Sequence, residues 1–189
     1  MSLEITIVSD FRTVTFYRNN EILFVGKANK KFWKIDWTLF NQSSNIIGLF
    51  KLKQKPFHLN CKLLVEFLNG ERKIDITLFY KIWRAPHIVF EYENDQFLIV
   101  FHIGTGFSFF KNDKQFAFFK KEKISLSSEK KYIVIADSDI PADLLSIISH
   151  SILIITEDVY DQSADVNVDI GNIGPELRKI DHTWRAKST

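Results

Sequence analysis

Lys131-Tyr132-Ile133-Val134-Ile135-Ala136-Asp137-Ser138-Asp139-Ile140-Pro141-Ala142-Asp143-Leu144-Leu145 decides how the chain is read. Its first part, after Lys130-Lys131, is a short β-branched and aromatic run, the composition of a strand. Its second part opens a helix. Asp139 can cap it, Pro141 suits its first turn, and Asp143 suits the positive end of its dipole. The helix is placed at about 140–157. Leu144, Leu145, Ile147, Ile148, Ile152, Leu153, Ile154 and Ile155 cover nearly its whole circumference, broken only by Ser146, Ser149, His150 and Ser151. A helix apolar on most sides is buried in protein or in lipid. The 142–156 stretch is roughly 22 Å long at 1.5 Å per residue, short of the roughly 20 residues that a bilayer needs. It therefore reads as a core helix, with no transmembrane span. His150 within it reads as a neutral core histidine bonded to a backbone carbonyl or a serine.

Working outward, the sequence before this passage is a series of short strand-like runs. They fall at 3–8, 13–17, 22–25, 32–40, 46–53, 59–67, 74–80, 88–92, 97–103, 107–110 and 116–119. Turn signals separate them: Asn19-Asn20, the Asn41 to Asn45 loop, Asn69-Gly70, Asn94-Asp95 and Lys111-Asn112-Asp113-Lys114. Many short strands at spacings of roughly 8–12 residues indicate an all-β barrel or sandwich. The aromatic content, 18 Phe, 4 Trp and 5 Tyr, favours strands and fills large cores.

The two halves echo each other at an offset of 70. Leu39-Phe40, a polar loop and Ile46 match Phe109-Phe110, a polar loop and Phe116. Leu49, Lys51 and Lys53 match Phe119, Lys121 and Lys123, and Leu63-Leu64-Val65 matches Ile133-Val134-Ile135. A duplicated β-meander closing into one barrel explains this pattern; any two hairpins also look somewhat alike.

The quoted passage and the element order resemble the tubby C-terminal-like superfamily, which includes tubby proteins, scramblase-like barrels and the LURP-one-related proteins. The resemblance covers about residues 3–158. It implies a closed antiparallel barrel of about twelve strands around a buried C-terminal apolar helix. The family's phosphoinositide-binding residues find no residue-by-residue counterpart here, so none is carried over. A barrel filled by a helix also leaves little room for an internal ligand.

One domain is expected at 1–160, followed by a polar tail at 161–189 that is acidic and then basic. Asp161, Asp165 and Asp169 begin the tail, and Arg178-Lys179 and Arg185-Ala186-Lys187 end it. The lone Cys61 excludes an internal disulfide framework. The N-terminus shows no basic region before an apolar run. The expected location is cytoplasmic, with peripheral membrane attachment open.

Catalytic and metal constellations do not emerge. The histidines, His58, His87, His102, His150 and His182, are not paired at ligand spacing. His58 and Cys61 fall on opposite faces of a strand. Asp137, Asp139 and Asp143 lack the glycine and terminal glutamate of a calcium loop. There is no nucleophile elbow, phosphate loop or dinucleotide fingerprint; Gly104-Thr105-Gly106 reads as a turn. The chain reads as a non-enzymatic binding module with no cofactor.

Charge ranks the partners. Net charge is +2, yet residues 137–189 carry ten acids against four Lys or Arg. Eight lysines and one acid, Asp36, lie between Lys27 and Lys62. Lys27, Lys30, Lys31, Lys34, Lys51, Lys53, Lys120, Lys121 and Lys123 are the candidate lipid-binding residues, with Trp33 and Phe119 beside them. Lysines attract anionic headgroups, and aromatics enter the interface. An anionic membrane surface or phosphoinositide-like headgroup is the first expected partner. A protein partner, with the tail docking on it or on the chain's own basic face, is the second. Single-stranded nucleic acid is the weakest. The plain alternative is that these lysines only solvate strand edges.

Overall fold

A computed structural model describes residues 2–10, 12–31, 34–54, 60–67, 72–81, 84–102, 106–122, 130–161 and 177–187. Among them are twelve strands and one helix: β1 (Leu3–Ser9), β2 (Thr13–Arg18), β3 (Glu21–Lys31), β4 (Lys34–Asn41), β5 (Ile46–Gln54), β6 (Asn60–Phe67), β7 (Arg72–Lys81), β8 (Arg84–Tyr92), β9 (Asp95–His102), β10 (Gly106–Lys111), β11 (Lys114–Glu122), β12 (Lys130–Ala136) and α1 (Ala142–Asp161). The architecture is all-β with one helix. Each strand pairs antiparallel with the next in sequence, and β1 pairs with β12 as well as with β2. The strand order is therefore β1-β12-β11-β10-β9-β8-β7-β6-β5-β4-β3-β2.

Local chemistry sets the hairpins. Asn19-Asn20, Glu93-Asn94 and Asn112-Asp113 all have φ between +46° and +68°. Two consecutive left-handed residues make the turn whose twist matches paired strands, and Asn and Asp tolerate it best. The turn expected at Asn94-Asp95 lies one residue earlier, because Asp95 already pairs with Tyr92.

Alternation fixes the faces. Leu3, Ile5 and Ile7 of β1 are buried, as are Tyr132, Val134 and Ala136 of β12. Leu144 to Ile155 of α1 are buried without a break, at 0–8% exposure. They form one core with apolar side chains from β1, β2 and every strand from β4 to β12. An all-round apolar helix needs walls on every side, and the strands supply them. Ser149 and Ser151 donate to the Leu145 and Ile147 carbonyls at 2.7 and 2.8 Å, so their hydroxyls enter the core already satisfied.

The helix differs from expectation at both ends. It starts at Ala142 and ends at Asp161, past the expected 157 and past the boundary set at 160. Asp139 does not cap it: the Pro141 carbonyl accepts the Leu145 N–H at 3.0 Å, and Asp143 Oδ1 accepts the Leu144 N–H at 2.8 Å. Among the described residues no helix is long and apolar enough to cross a membrane.

His150 is fully buried, and burial lowers its pKa to about 3, so it is neutral as expected. The expected partner is missing. Among the described residues neither ring nitrogen has a hydrogen bond, because the neighbouring serines bond to helix carbonyls instead. The ring sits among Phe16, Trp37 and Phe50, with centroids 5.9, 5.0 and 4.7 Å away.

The echo between halves acquires a correction. The β4–β5 ladder shifts register between Leu39 and Phe40, and the β10–β11 ladder shifts between Phe109 and Phe110, the positions 70 apart. Beyond the bulge, however, Leu39 pairs with Gly48, while Phe109 pairs with Ala117. Gly48 thus corresponds to Ala117, Phe50 to Phe119 and Lys51 to Lys120, an offset of 69 rather than 70. Val65 corresponds to Val134, since they face Phe50 and Phe119. The cause is the turn. Phe40 pairs with Ile46 across a longer loop, whereas the second hairpin closes tightly through Asn112-Asp113. A slip of one residue would turn every side chain to the other face, so the shorter turn must be absorbed as a shift in numbering.

Candidate functional site

The C-terminal segment is built from local turns. Asp181 Oδ1 accepts the Thr183 N–H at 2.8 Å and the Thr183 hydroxyl at 2.6 Å, and the Trp184 N–H reaches the Asp181 carbonyl at 3.3 Å. The Thr183 side chain, then its backbone, holds the Asp181 carboxyl below its ordinary pKa. Arg185 Nη1 donates to the His182 and Trp184 carbonyls at 3.0 and 2.7 Å. An aspartate turn of this kind folds without a core beneath it.

This segment lies against the sheet through polar contacts. Arg178 bonds to the carboxylate and carbonyl of Asp113 in the β10–β11 turn, and its guanidinium sits 4.5 Å from the Phe110 ring centre. Trp184 Nε1 donates to the Gln115 carbonyl at 3.2 Å. The Lys187 N–H reaches Asp137 Oδ1 at 2.7 Å, and the Ser138 N–H reaches the Lys187 carbonyl at 3.1 Å. Residues 177–187 are therefore fastened to the start of β11, to the turn before it and to the turn that seats α1.

Between segment and sheet lies a pocket of about 370 Å³. Its floor includes Phe118 of β11 and Ile135 of β12, and the segment adds Ile180 and Trp184. Its charged rim holds Lys120, Arg185, Asp181 and His182. Four cations are paired: Lys51 with Glu66 at 3.8 Å, Lys111 with Asp95 at 2.6 Å, Lys131 with Glu122 at 2.8 Å and Arg178 with Asp113. Among the described residues Lys120 and Arg185 have no ion-pair partner. A pocket with an apolar floor and two cations against one carboxylate at its rim can take an anionic group attached to an apolar body.

The nine candidate lysines divide. Lys120 and Lys121 are exposed on β11, and Lys27 and Lys51 are exposed on β3 and β5. Lys51 and Lys120 occupy corresponding positions of the two halves, six strands apart in the order. Lys27 lies 5.7 Å from the Phe40 ring centre, and Lys51 pairs across the ladder with Asp36. Lys30, Lys31, Lys34 and Lys53 hold register opposite Ile35, Lys34, Lys31 and Lys62. Their side chains lie outside the described residues, as do Lys123, Trp33 and His58. Arg185, His182 and Trp184 are not singled out by sequence reasoning, although a signal for them exists. Trp184-Arg185 repeats the aromatic-beside-cation pattern that marks 27–34 and 118–123.

A larger cavity, about 820 Å³, opens where α1 enters. Its rim mixes Glu93, Asp95, Asp137, Asp139 and Asp143 with Lys111, Lys114 and Lys187. Lys111 and Asn112 keep the Asp95 carboxyl below its ordinary pKa. No group of three His, Cys, Asp or Glu among the described residues is placed to hold a metal ion. No family model, curated protein or solved structure matches this chain.

Proposed function

We propose that the chain is a non-enzymatic module that binds anionic phospholipid headgroups peripherally, on a tubby-like closed barrel whose interior is filled by α1. The observation that carries this reading is the pocket at β11, where Lys120 and Arg185, against the single carboxylate of Asp181, line the same space as Phe118, Ile135 and Trp184. Phosphate oxygens suit the cations, and Trp and Phe suit the interface below the headgroups. The pairing order from β1 round to β12 supports the closed barrel, and the unbroken burial of α1 supports its filled interior.

The test is co-sedimentation with phosphatidylcholine vesicles, with and without phosphatidylserine, at about 50 and 300 mM salt, conditions that span weak and strong screening. Binding only to the anionic vesicles, weakened by salt, is expected. Each cation near the surface contributes roughly 1 kcal/mol, so Lys120→Gln with Arg185→Gln should weaken binding by about thirtyfold. Equal binding to neutral vesicles, or none to either, would sink the reading.

A second reading is a protein-interaction domain. Ile22 and Ile46 favour it, large apolar side chains left 44% and 40% exposed, with Gln42 of the β4–β5 loop bonded to the Ile22 carbonyl. Charge reversal at Lys120 and Arg185 would leave such binding unchanged, whereas Ile22→Ser would weaken it.

A further inference from the structure

We propose that residues 177–187 are a clasp that an anionic phospholipid headgroup holds shut, so that headgroup binding and docking of this segment form one coupled equilibrium. The proposal rests on the headgroup reading above and names how that site is controlled.

The pocket has two walls of different origin. Lys120 belongs to β11, and Arg185 belongs to the C-terminal segment. Neither wall makes the pocket alone. Lys120 comes from one wall and Arg185 from the other, so an anion bound between them attracts both walls at once. Arg185 is held in place for an anion, because its Nη1 is tied to two carbonyls of its own turn. An arginine has five N–H donors in a planar fork, so Nε and Nη2 keep donors for a phosphate. Asp181 sits on the same rim and stays ionised through its bonds to Thr183, which leaves Lys120 and Arg185 ahead by one charge.

The docking contacts are few and exposed. Asp113, the anchor for Arg178, has an 84% exposed side chain. Such pairs contribute little on their own. The remaining anchors are the Arg178 guanidinium over the Phe110 ring and its bond to the Asp113 carbonyl, one indole hydrogen bond and two bonds of the Lys187 main chain. A segment held this lightly has a docking equilibrium near balance, and a ligand touching both walls shifts it. By linkage, the factor by which the ligand strengthens docking equals the factor by which docking strengthens the ligand, so loosening the clasp weakens the ligand.

The decisive comparison uses the full chain and a variant outside the pocket lining. Asp113→Asn removes the charge that anchors Arg178. Asn keeps the left-handed backbone there, φ 68°, so the turn survives. Phosphatidylserine vesicles should slow hydrogen exchange at residues 177–187 by roughly tenfold, and Asp113→Asn should bind them roughly fivefold more weakly. Binding that leaves exchange at 177–187 unchanged, with Asp113→Asn binding like the native chain, overturns the clasp and leaves the headgroup reading standing. No binding by the full chain overturns both. Equal slowing by inorganic phosphate alone supports the clasp and removes the membrane from the reading.

Discussion

Unfolding free energy should fall by about 3 kcal/mol between pH 7 and pH 4, and His150→Leu should abolish most of that fall. The cause is the burial that holds the His150 pKa at about 3 in the folded chain. In the unfolded chain the imidazole titrates near its ordinary value of about 6.5. The unfolded state therefore takes up a proton that the fold refuses. This contribution is intact above pH 6.5 and is lost progressively as the pH falls towards 3. Among the described residues the ring's neighbours do not offset it: Phe16 of β2, Gly26 of β3, Trp37 of β4 and Phe50 of β5 carry no titratable group. The lowered carboxyls of Asp95 and Asp181 act in the same direction, but only as the pH falls through the carboxylate range. The diagnostic window is thus about pH 6.5 to 4.5. His150→Leu keeps a similar volume and removes two ring nitrogens without partners, so it should be neutral or stabilising at pH 7. Urea denaturation across this window measures the effect. Parallel pH profiles for both chains would place the imidazole in contact with water.

Much of this arrangement was legible because it is written in local signals. Twelve strands follow from alternation and from left-handed turns such as Asn19-Asn20. The core helix follows from an apolar run that no surface helix tolerates. What stayed hidden depends on contacts distant in sequence. The slip from 70 to 69 comes from a turn one residue shorter, and no count of hydrophobic positions reveals which residue the bulge absorbs. The sequence matched Lys51 with Lys121 across the two halves, whereas the ladders make Lys51 correspond to Lys120. The tail's charge allowed docking on a partner or on the chain's own basic face, without naming the atoms. Its docking rests on particular atoms: Arg178 on Asp113, Trp184 on Gln115 and Lys187 on Asp137. Sequence order does not announce such pairs, because each is a local polar contact between elements that share no periodicity.

Gly26→Ala should destabilise the chain by about 2–3 kcal/mol, although alanine in a strand ordinarily costs nothing against glycine. The reason is the close approach of α1 to β3. A Cβ at Gly26 would lie 2.5 Å from His150 Cε1 and 3.0 Å from its Nε2. The ring cannot retreat, since Phe16, Trp37 and Phe50 close its other sides. Either the strand bows outward, which strains its pairing with β2 and β4, or the helix shifts within a core already filled. The same substitution should become neutral or mildly stabilising once His150→Ala has removed the ring. A double-mutant cycle by urea denaturation should therefore give a coupling of about 2 kcal/mol or more between two positions far apart in sequence. Additive effects would mean that the helix does not press on β3 there. Coupling of that size, read together with the loss of the pH 6.5 to 4.5 slope in His150→Leu, would fix this imidazole against the inner face of the sheet by two independent quantities, one steric and one electrostatic.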